Sequence, residues 1–154
     1  MITAEAILGL IDKKLACVPE TMKIIDALKI IVENKTGAVC VERNGEIVGL
    51  WTERDLMRNV LMKGFDITHA QVGDHMMKKI HTIPHTTRLV EIEDKFVGLF
   101  VRHLFVEKQG KIIGVISTRD LMVADLNIKS DEVKNLKTFV SLEYYENWRW
   151  KKPC

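Results

Sequence analysis

The sequence repeats itself, and this limits the folds open to it more than any other feature. Offset by 65 positions, Leu15 to Leu61 lies over Ile80 to Leu126 without a gap. Pro19 then falls on Pro84, Thr21 on Thr86, Val41-Glu42 on Val106-Glu107, Gly45 on Gly110, Ile47 on Ile112 and Gly49 on Gly114. Arg54-Asp55-Leu56-Met57 falls on Arg119-Asp120-Leu121-Met122. One supersecondary unit is built twice. At 47 residues it is too small to bury a sufficient core alone, so the copies are expected to pack on each other.

Within each copy a short apolar run (Leu15 to Val18, Ile80 to Ile83) ends at a proline and suits a brief strand. A helix is predicted next. In the first copy Thr21 is the expected cap, followed by Ile24, Ile25, Leu28, Ile31 and Val32 at helical spacing; in the second, Leu89, Ile92, Phe96 and Leu99 or Phe100 recur in the same way. A hairpin follows, turning at Asn44-Gly45 or Gln109-Gly110, and a helix starting near Thr52 or Ser117 closes the unit. The order is β-α-β-β-α, twice. The hairpin strands are nearly continuous apolar runs, which predicts that both sheet faces are covered. The expected architecture is α+β: two repeats packed sheet to sheet about a pseudo-twofold axis, with clefts beside the axis and a C-terminal helical tail. By position the parts are residues 1–62 (first repeat with an N-terminal helix), 63–78 (linker), 79–126 (second repeat) and 127–154 (C-terminal helix and tail).

Composition narrows the function classes. Apolar residues make up 47% and charged residues 29%, the profile of a globular protein, and the net charge of +2 is too balanced to imply nucleic-acid binding. No apolar run approaches the roughly 18 residues of a membrane span. Met1 to Leu15 lacks the pattern of a secretion signal, so a cytoplasmic address is expected. Cys17, Cys40 and Cys154 show no CxxC spacing and predict neither a disulfide framework nor a zinc site. The histidines show no HExxH spacing, so no metal requirement is expected. No nucleophile has a readable base partner, so an enzyme is not expected.

The sharpest motif is Gly49-Leu50-Trp51-Thr52-Glu53-Arg54-Asp55, repeated as Gly114-Val115-Ile116-Ser117-Thr118-Arg119-Asp120. Two readings stand. Ser/Thr-x-x-acid is a capping box for the first turn of a helix. The same geometry offers helix-start amides to a phosphate and a carboxylate to ribose hydroxyls, and Arg54 and Arg119 supply a cation at each copy.

The repeat, the Gly-h-h-Ser/Thr-x-Arg-Asp-Leu ending and the segment Val72-Gly73-Asp74-His75-Met76-Met77 together resemble the CBS domain family, whose paired domains are called Bateman modules. The resemblance covers about residues 7–140, including Asp131 to Leu136, which is similar to a short C-terminal helix of small stand-alone members. It implies a regulatory module that binds AMP, ADP or ATP, less commonly S-adenosylmethionine or an NAD-type molecule, and that commonly dimerises. By the same resemblance Asp55 and Asp120 meet ribose, Thr52 and Ser117 (with Thr118) lie near ribose or phosphate, and Arg54 and Arg119 assist. The backbone at Cys17-Val18 and Thr82-Ile83 frames the base, as do Thr36-Gly37-Ala38 and Arg102-His103-Leu104. The chain departs from the family where many nucleotide-binding members carry proline; Cys40 and Phe105 stand there. Trp51 is bulky for its place and is expected to fill part of the first cleft. The second cleft, with Arg102 and His103 beside Asp120, is therefore the expected better site.

The tail alternates aromatic and basic residues (Phe139, Tyr144, Tyr145, Trp148, Trp150 among Lys134, Lys137, Arg149, Lys151 and Lys152). Val140, Tyr144 and Trp148 share one helical face, which favours docking on the module or a second subunit over single-stranded nucleic acid. Besides the nucleotide sensor, whose protein effector the sequence does not name, two alternatives remain: an interaction module with degenerate clefts, and nucleic-acid binding through the tail.

Overall fold

The computed structural model describes residues 2–11 and 14–133. The aromatic and basic tail, the residues beyond Val133 and Cys154 lie outside the described residues.

Chain order is α1 (Ala4–Leu10), β1 (Cys17–Pro19), α2 (Ile24–Asn34), β2 (Ala38–Arg43), β3 (Glu46–Thr52), α3 (Glu53–Asn59), α4 (Val72–His75), β4 (Thr82–Pro84), α5 (Leu89–Leu99), β5 (His103–Lys108), β6 (Lys111–Ser117) and α6 (Thr118–Val133). The six strands form two three-stranded sheets, ordered β1-β2-β3 and β4-β5-β6. The α+β class and the doubled βαββα order are therefore as expected. The edge strands β1 and β4 run parallel to β2 and β5 and each ends on its proline, where a missing N–H costs the ladder nothing. Among the described residues no helix is long and apolar enough to cross a membrane.

Both hairpins turn on two residues with positive φ, Asn44 and Gly45 (52° and 79°) and Gln109 and Gly110 (52° and 74°), which is the turn whose twist matches paired strands. Each hairpin carries a bulge at the same place, between Val41 and Glu42 and between Val106 and Glu107. Beyond the bulge the side chains alternate. Val39, Val41 and Trp51 face α2 in a core with Val18, Ile24, Ala27 and Ile31. Ala38, Cys40 and Leu50 face the other way and pack with Phe105, Ile112 and Val115 of the second sheet. Leu104, Val106, Ile116, Ile83, Ile92 and Phe96, all buried, hold the equivalent core positions in the second repeat.

The helix starts differ from the expectation. Thr21 does not cap α2; the helix begins three residues later, after Lys23, with no side-chain cap. The chain first pairs Lys23 with Gln71, and Ile24 N–H donates to Ala70 O (2.9 Å), so an inter-segment contact takes over the role of a cap. In the second repeat Arg88 precedes α5, and its N–H donates to Glu91 Oε2 (3.0 Å).

The segments that precede each repeat are exchanged. Gly73 N–H donates to Glu20 O (2.8 Å) and Val72 N–H to Met22 O (2.9 Å), which docks the linker turn α4 on the first repeat. Ala4 N–H donates to Thr87 O (2.8 Å) and Glu5 N–H to His85 O (3.0 Å), and Glu5 pairs with Lys108, which docks α1 on the second repeat. The N-terminal helix assigned by chain order to the first repeat thus completes the second in space. This exchange explains the motif glycines. A Cβ at Gly49 would come within 2.9 Å of Met77 O, and one at Gly114 within 2.8 Å of Leu8 Cδ2. Both are close-approach positions on β3 and β6.

The closing helices differ in length. After α3 the chain leaves the helix and passes Gly64 in the left-handed region (φ 79°). The second copy has neither glycine nor proline from Leu121 to Val133, and α6 runs on as one helix of 16 residues. Met1–Leu121 forms one compact unit containing both sheets, and the chain from Met122 belongs to a second.

Candidate functional site

Each repeat ends its hairpin on the hydroxyl residue that starts the closing helix, and the two boxes are nearly superimposable in geometry. Thr52 N–H and Oγ1–H both donate to Asp55 Oδ2 (3.0 and 2.8 Å), and Asp55 N–H donates back to Thr52 Oγ1 (3.3 Å). Ser117 N–H and Oγ–H donate to Asp120 Oδ2 (2.8 and 2.6 Å), and Asp120 N–H to Ser117 Oγ (3.2 Å). The capping function is real in both copies. It engages one oxygen of each carboxylate and leaves the other outside the box. Asp55 Oδ1 has the Arg58 guanidinium at 3.6 Å. The helix-start amides proposed for phosphate are partly taken: Glu53 N–H donates to Gly37 O and Thr118 N–H to Arg102 O, each at 3.0 Å. An anion at either box would rely on side-chain cations more than on helix amides.

These backbone bonds tie the segment leading into the central strand (Thr36-Gly37-Ala38, Arg102-His103-Leu104) to the helix start of its own repeat. The sheet packing then brings the two lead-in segments together. A cavity of about 220 Å³ is lined by Gly37, Thr52, Glu53, Arg54, Asp55 and Arg58 of the first repeat and by Lys79, Ile80, His81, Phe100, Val101, Arg102, His103 and Phe105 of the second, with Leu50 and Met77 completing it. Four basic side chains and two acidic ones surround it. The volume lies below the roughly 300–1,000 Å³ that encloses a drug-sized ligand. A nucleotide seated here would extend past the mouth, where Arg54, Arg58, Lys79 and Arg102 are all exposed.

Of the residues singled out from the sequence, Gly37, Thr52, Arg54, Asp55, Arg102 and His103 share this cavity. Ser117, Thr118, Arg119 and Asp120 do not line it; they form the second box. Val18, Ile83 and Leu104 are buried at 1%, 1% and 0% exposure, so only their backbone can meet a ligand. Ala38 is buried between the sheets, Thr36 Oγ1 donates to Ala38 O (3.3 Å), and Thr82 is exposed on its edge strand. Arg102 and His103, expected beside Asp120 from the family resemblance, also line one cavity with Asp55. His103 also feels Asp120: burial pushes its imidazole down from the usual range, the Asp120 charge opposes this, and Arg102 adds to it. Trp51, expected in the cleft, is fully buried on the opposite face of its sheet, its indole N–H donating to Asn59 Oδ1 (3.2 Å). Period-two alternation decides this: Leu50 faces the cavity, so Trp51 cannot.

Other polar residues that the motif did not reveal also line the cavity. Arg58 is one turn beyond Arg54. Lys79 and His81 come from the approach to β4. Of these only Lys79 had a signal in the repeat, since Lys78-Lys79 falls on Lys13-Lys14 at the same offset. Among the described residues no three His, Cys, Asp or Glu side chains gather as metal ligands.

Comparison with known proteins agrees with this fold. The CBS domain family profile matches residues 5–62 and 72–127. The chain is 27% identical over 126 residues to the Arabidopsis thaliana CBS domain-containing protein CBSX3, mitochondrial; the match covers 79% of this chain and 61% of that protein, so the chain spans under two thirds of that relative's length. A signal-transduction protein with CBS domains from Burkholderia ambifaria, 24% identical, superposes with a TM-score of 0.75 over 91% of this chain and all of that one, a likeness of fold. The crystal structure of CBSX2 in complex with AMP is 29% identical, with a TM-score of 0.64 over 75% of this chain and 90% of that one. With two matched domains, two sheets in the family's order and an acid–hydroxyl box closing each repeat, the chain belongs to the CBS-domain family as a tandem pair.

Proposed function

We propose that the protein is a non-catalytic regulatory module that binds an adenine nucleotide of the AMP, ADP or ATP class in the Asp55 cavity and transmits occupancy through a change in conformation or assembly. The observation that carries this is the cavity in which the Asp55 carboxylate, for ribose, meets Arg54, Arg58, Lys79 and Arg102, for phosphate. The AMP complex of a relative supports the ligand class. The degenerate-cleft alternative loses one of its two supports, because Trp51 lies in the core. In this reading the module is a homodimer in the cytoplasm acting on a protein effector. Exposed apolar side chains at Met57 and Leu61 (67% and 86%) support self-association.

In this reading the Asp55 cavity, not the Asp120 box, is the stronger site, because four basic side chains gather beside its carboxylate. Isothermal titration with AMP, ADP and ATP, with S-adenosylmethionine and NADH as controls, tests this on wild type, Asp55→Asn and Asp120→Asn. A charge-assisted hydrogen bond contributes about 1.5–3 kcal/mol, so Asp55→Asn is expected to weaken the tightest site by about tenfold or more. Asp120→Asn is expected to change it less. A larger loss from Asp120→Asn would overturn the site assignment, and no binding of any of the five would overturn the function.

A further inference from the structure

Two thiols that no nucleotide contact uses face each other across the first sheet. Cys17 on β1 and Cys40 on β2 are register partners in a parallel pair. Cys40 N–H donates to Ala16 O (2.9 Å), which holds the two strands in that register. Register partners in adjacent strands point to the same face, and their Cα separation of about 4.8 Å is inside the range of roughly 4.4–6.8 Å that a disulfide spans. Each thiol lies near enough to influence the ionisation of the other. Their surroundings are unequal: Cys17 is exposed, whereas Cys40 is 2% exposed in the layer between the sheets, against Ala38, Leu50 and Phe105. One sulfur is thus open to a small oxidant, and the second is protected beside it.

We propose that Cys17 and Cys40 form a redox-active pair that a peroxide converts to an intramolecular disulfide, clamping β1 to β2. The Cys17 thiolate attacks one peroxide oxygen; the O–O bond breaks, and the departing hydroxide leaves as water, giving a sulfenic acid at Cys17. The Cys40 sulfur then attacks the Cys17 sulfur; the S–O bond breaks, the S–S bond forms and a second water leaves. Two thiols lose two electrons and the peroxide gains them. Burial raises both thiols, Cys40 to about 12, so the thiolate fraction is small at neutral pH and the reaction is slow there. This inference is independent of the nucleotide reading, although the clamp falls on the backbone at Cys17-Val18 expected to frame a base.

The test uses full-length protein carrying Cys154→Ser, so that two thiols remain. Treated with hydrogen peroxide under native conditions, it is expected to lose two hydrogen atoms in intact mass, to yield a Cys17–Cys40 crosslinked peptide, and to regain its mass with dithiothreitol. The rate is expected to rise about tenfold per pH unit below the Cys17 pKa. In Cys40→Ala the crosslink is expected to vanish and Cys17 to be trapped by dimedone as the sulfenic acid. Stable sulfinic acid at Cys17 with Cys40 unmodified, or only intermolecular Cys17–Cys17 dimers, would overturn the proposal. So would an unchanged mass after both peroxide and diamide, in protein whose circular dichroism is native.

Discussion

Replacing Trp51 with phenylalanine separates a core placement of the side chain from a cleft placement. The indole is fully buried on the helix side of β3, and its N–H donates to Asn59, itself 6% exposed. Phenylalanine removes that donor and part of the ring. Orphaning a buried acceptor costs about 1–3 kcal/mol, and the space left by the smaller ring costs about 1 kcal/mol more. The expected loss is about 2–4 kcal/mol, a large share of the roughly 5–15 kcal/mol that holds a domain folded. Urea unfolding followed by circular dichroism reads it as a lower midpoint at constant slope. A second substitution, Asn59→Leu, removes the orphaned amide, and in the Trp51→Phe background it is expected to cost less than alone by about 1 kcal/mol or more, as for a coupled pair. Nucleotide affinity is expected to stay within about twofold of wild type, because the indole and the cavity lie on opposite faces of one strand. A stability loss below about 0.5 kcal/mol together with a tenfold change in affinity would refute the placement and return Trp51 to the cleft.

The motif glycines give a graded test. Gly49→Ala sets a methyl 2.9 Å from the Met77 carbonyl, a backbone atom, whereas Gly114→Ala meets the Leu8 side chain, which can rotate away. The first is expected to cost about 2 kcal/mol or more and the second about 1 kcal/mol in urea midpoints; the reverse order would show that α1 is the more rigidly docked segment. His103 has a pH signature. Its pKa falls on folding, chiefly by burial, so the unfolded chain binds the proton more readily, and stability is lost as pH drops below the ordinary 6.5 toward the folded value. His103→Gln is expected to flatten this part of the stability–pH curve between about pH 7 and 5; an unchanged slope would mean that the imidazole is solvated.

What the sequence determined by itself is local or periodic. The doubled unit, the positive-φ hairpin turns at Asn44-Gly45 and Gln109-Gly110, the proline-ended edge strands and the hydroxyl–acid boxes depend on residues close together in the chain, and the repeat shows each of them twice. The tertiary structure decided the rest. Pairing of Lys23 with Gln71 delayed the start of α2 past Thr21. Strand parity sent Trp51 to the core and Leu50 to the cavity, a choice that depends on which sheet face meets the second repeat. Most consequentially for function, Arg102 and His103 lie 47 and 48 positions from Asp55 along the chain and share a cavity with it. The pseudo-twofold packing of two sheets sets that proximity, which side-chain chemistry read one repeat at a time does not show.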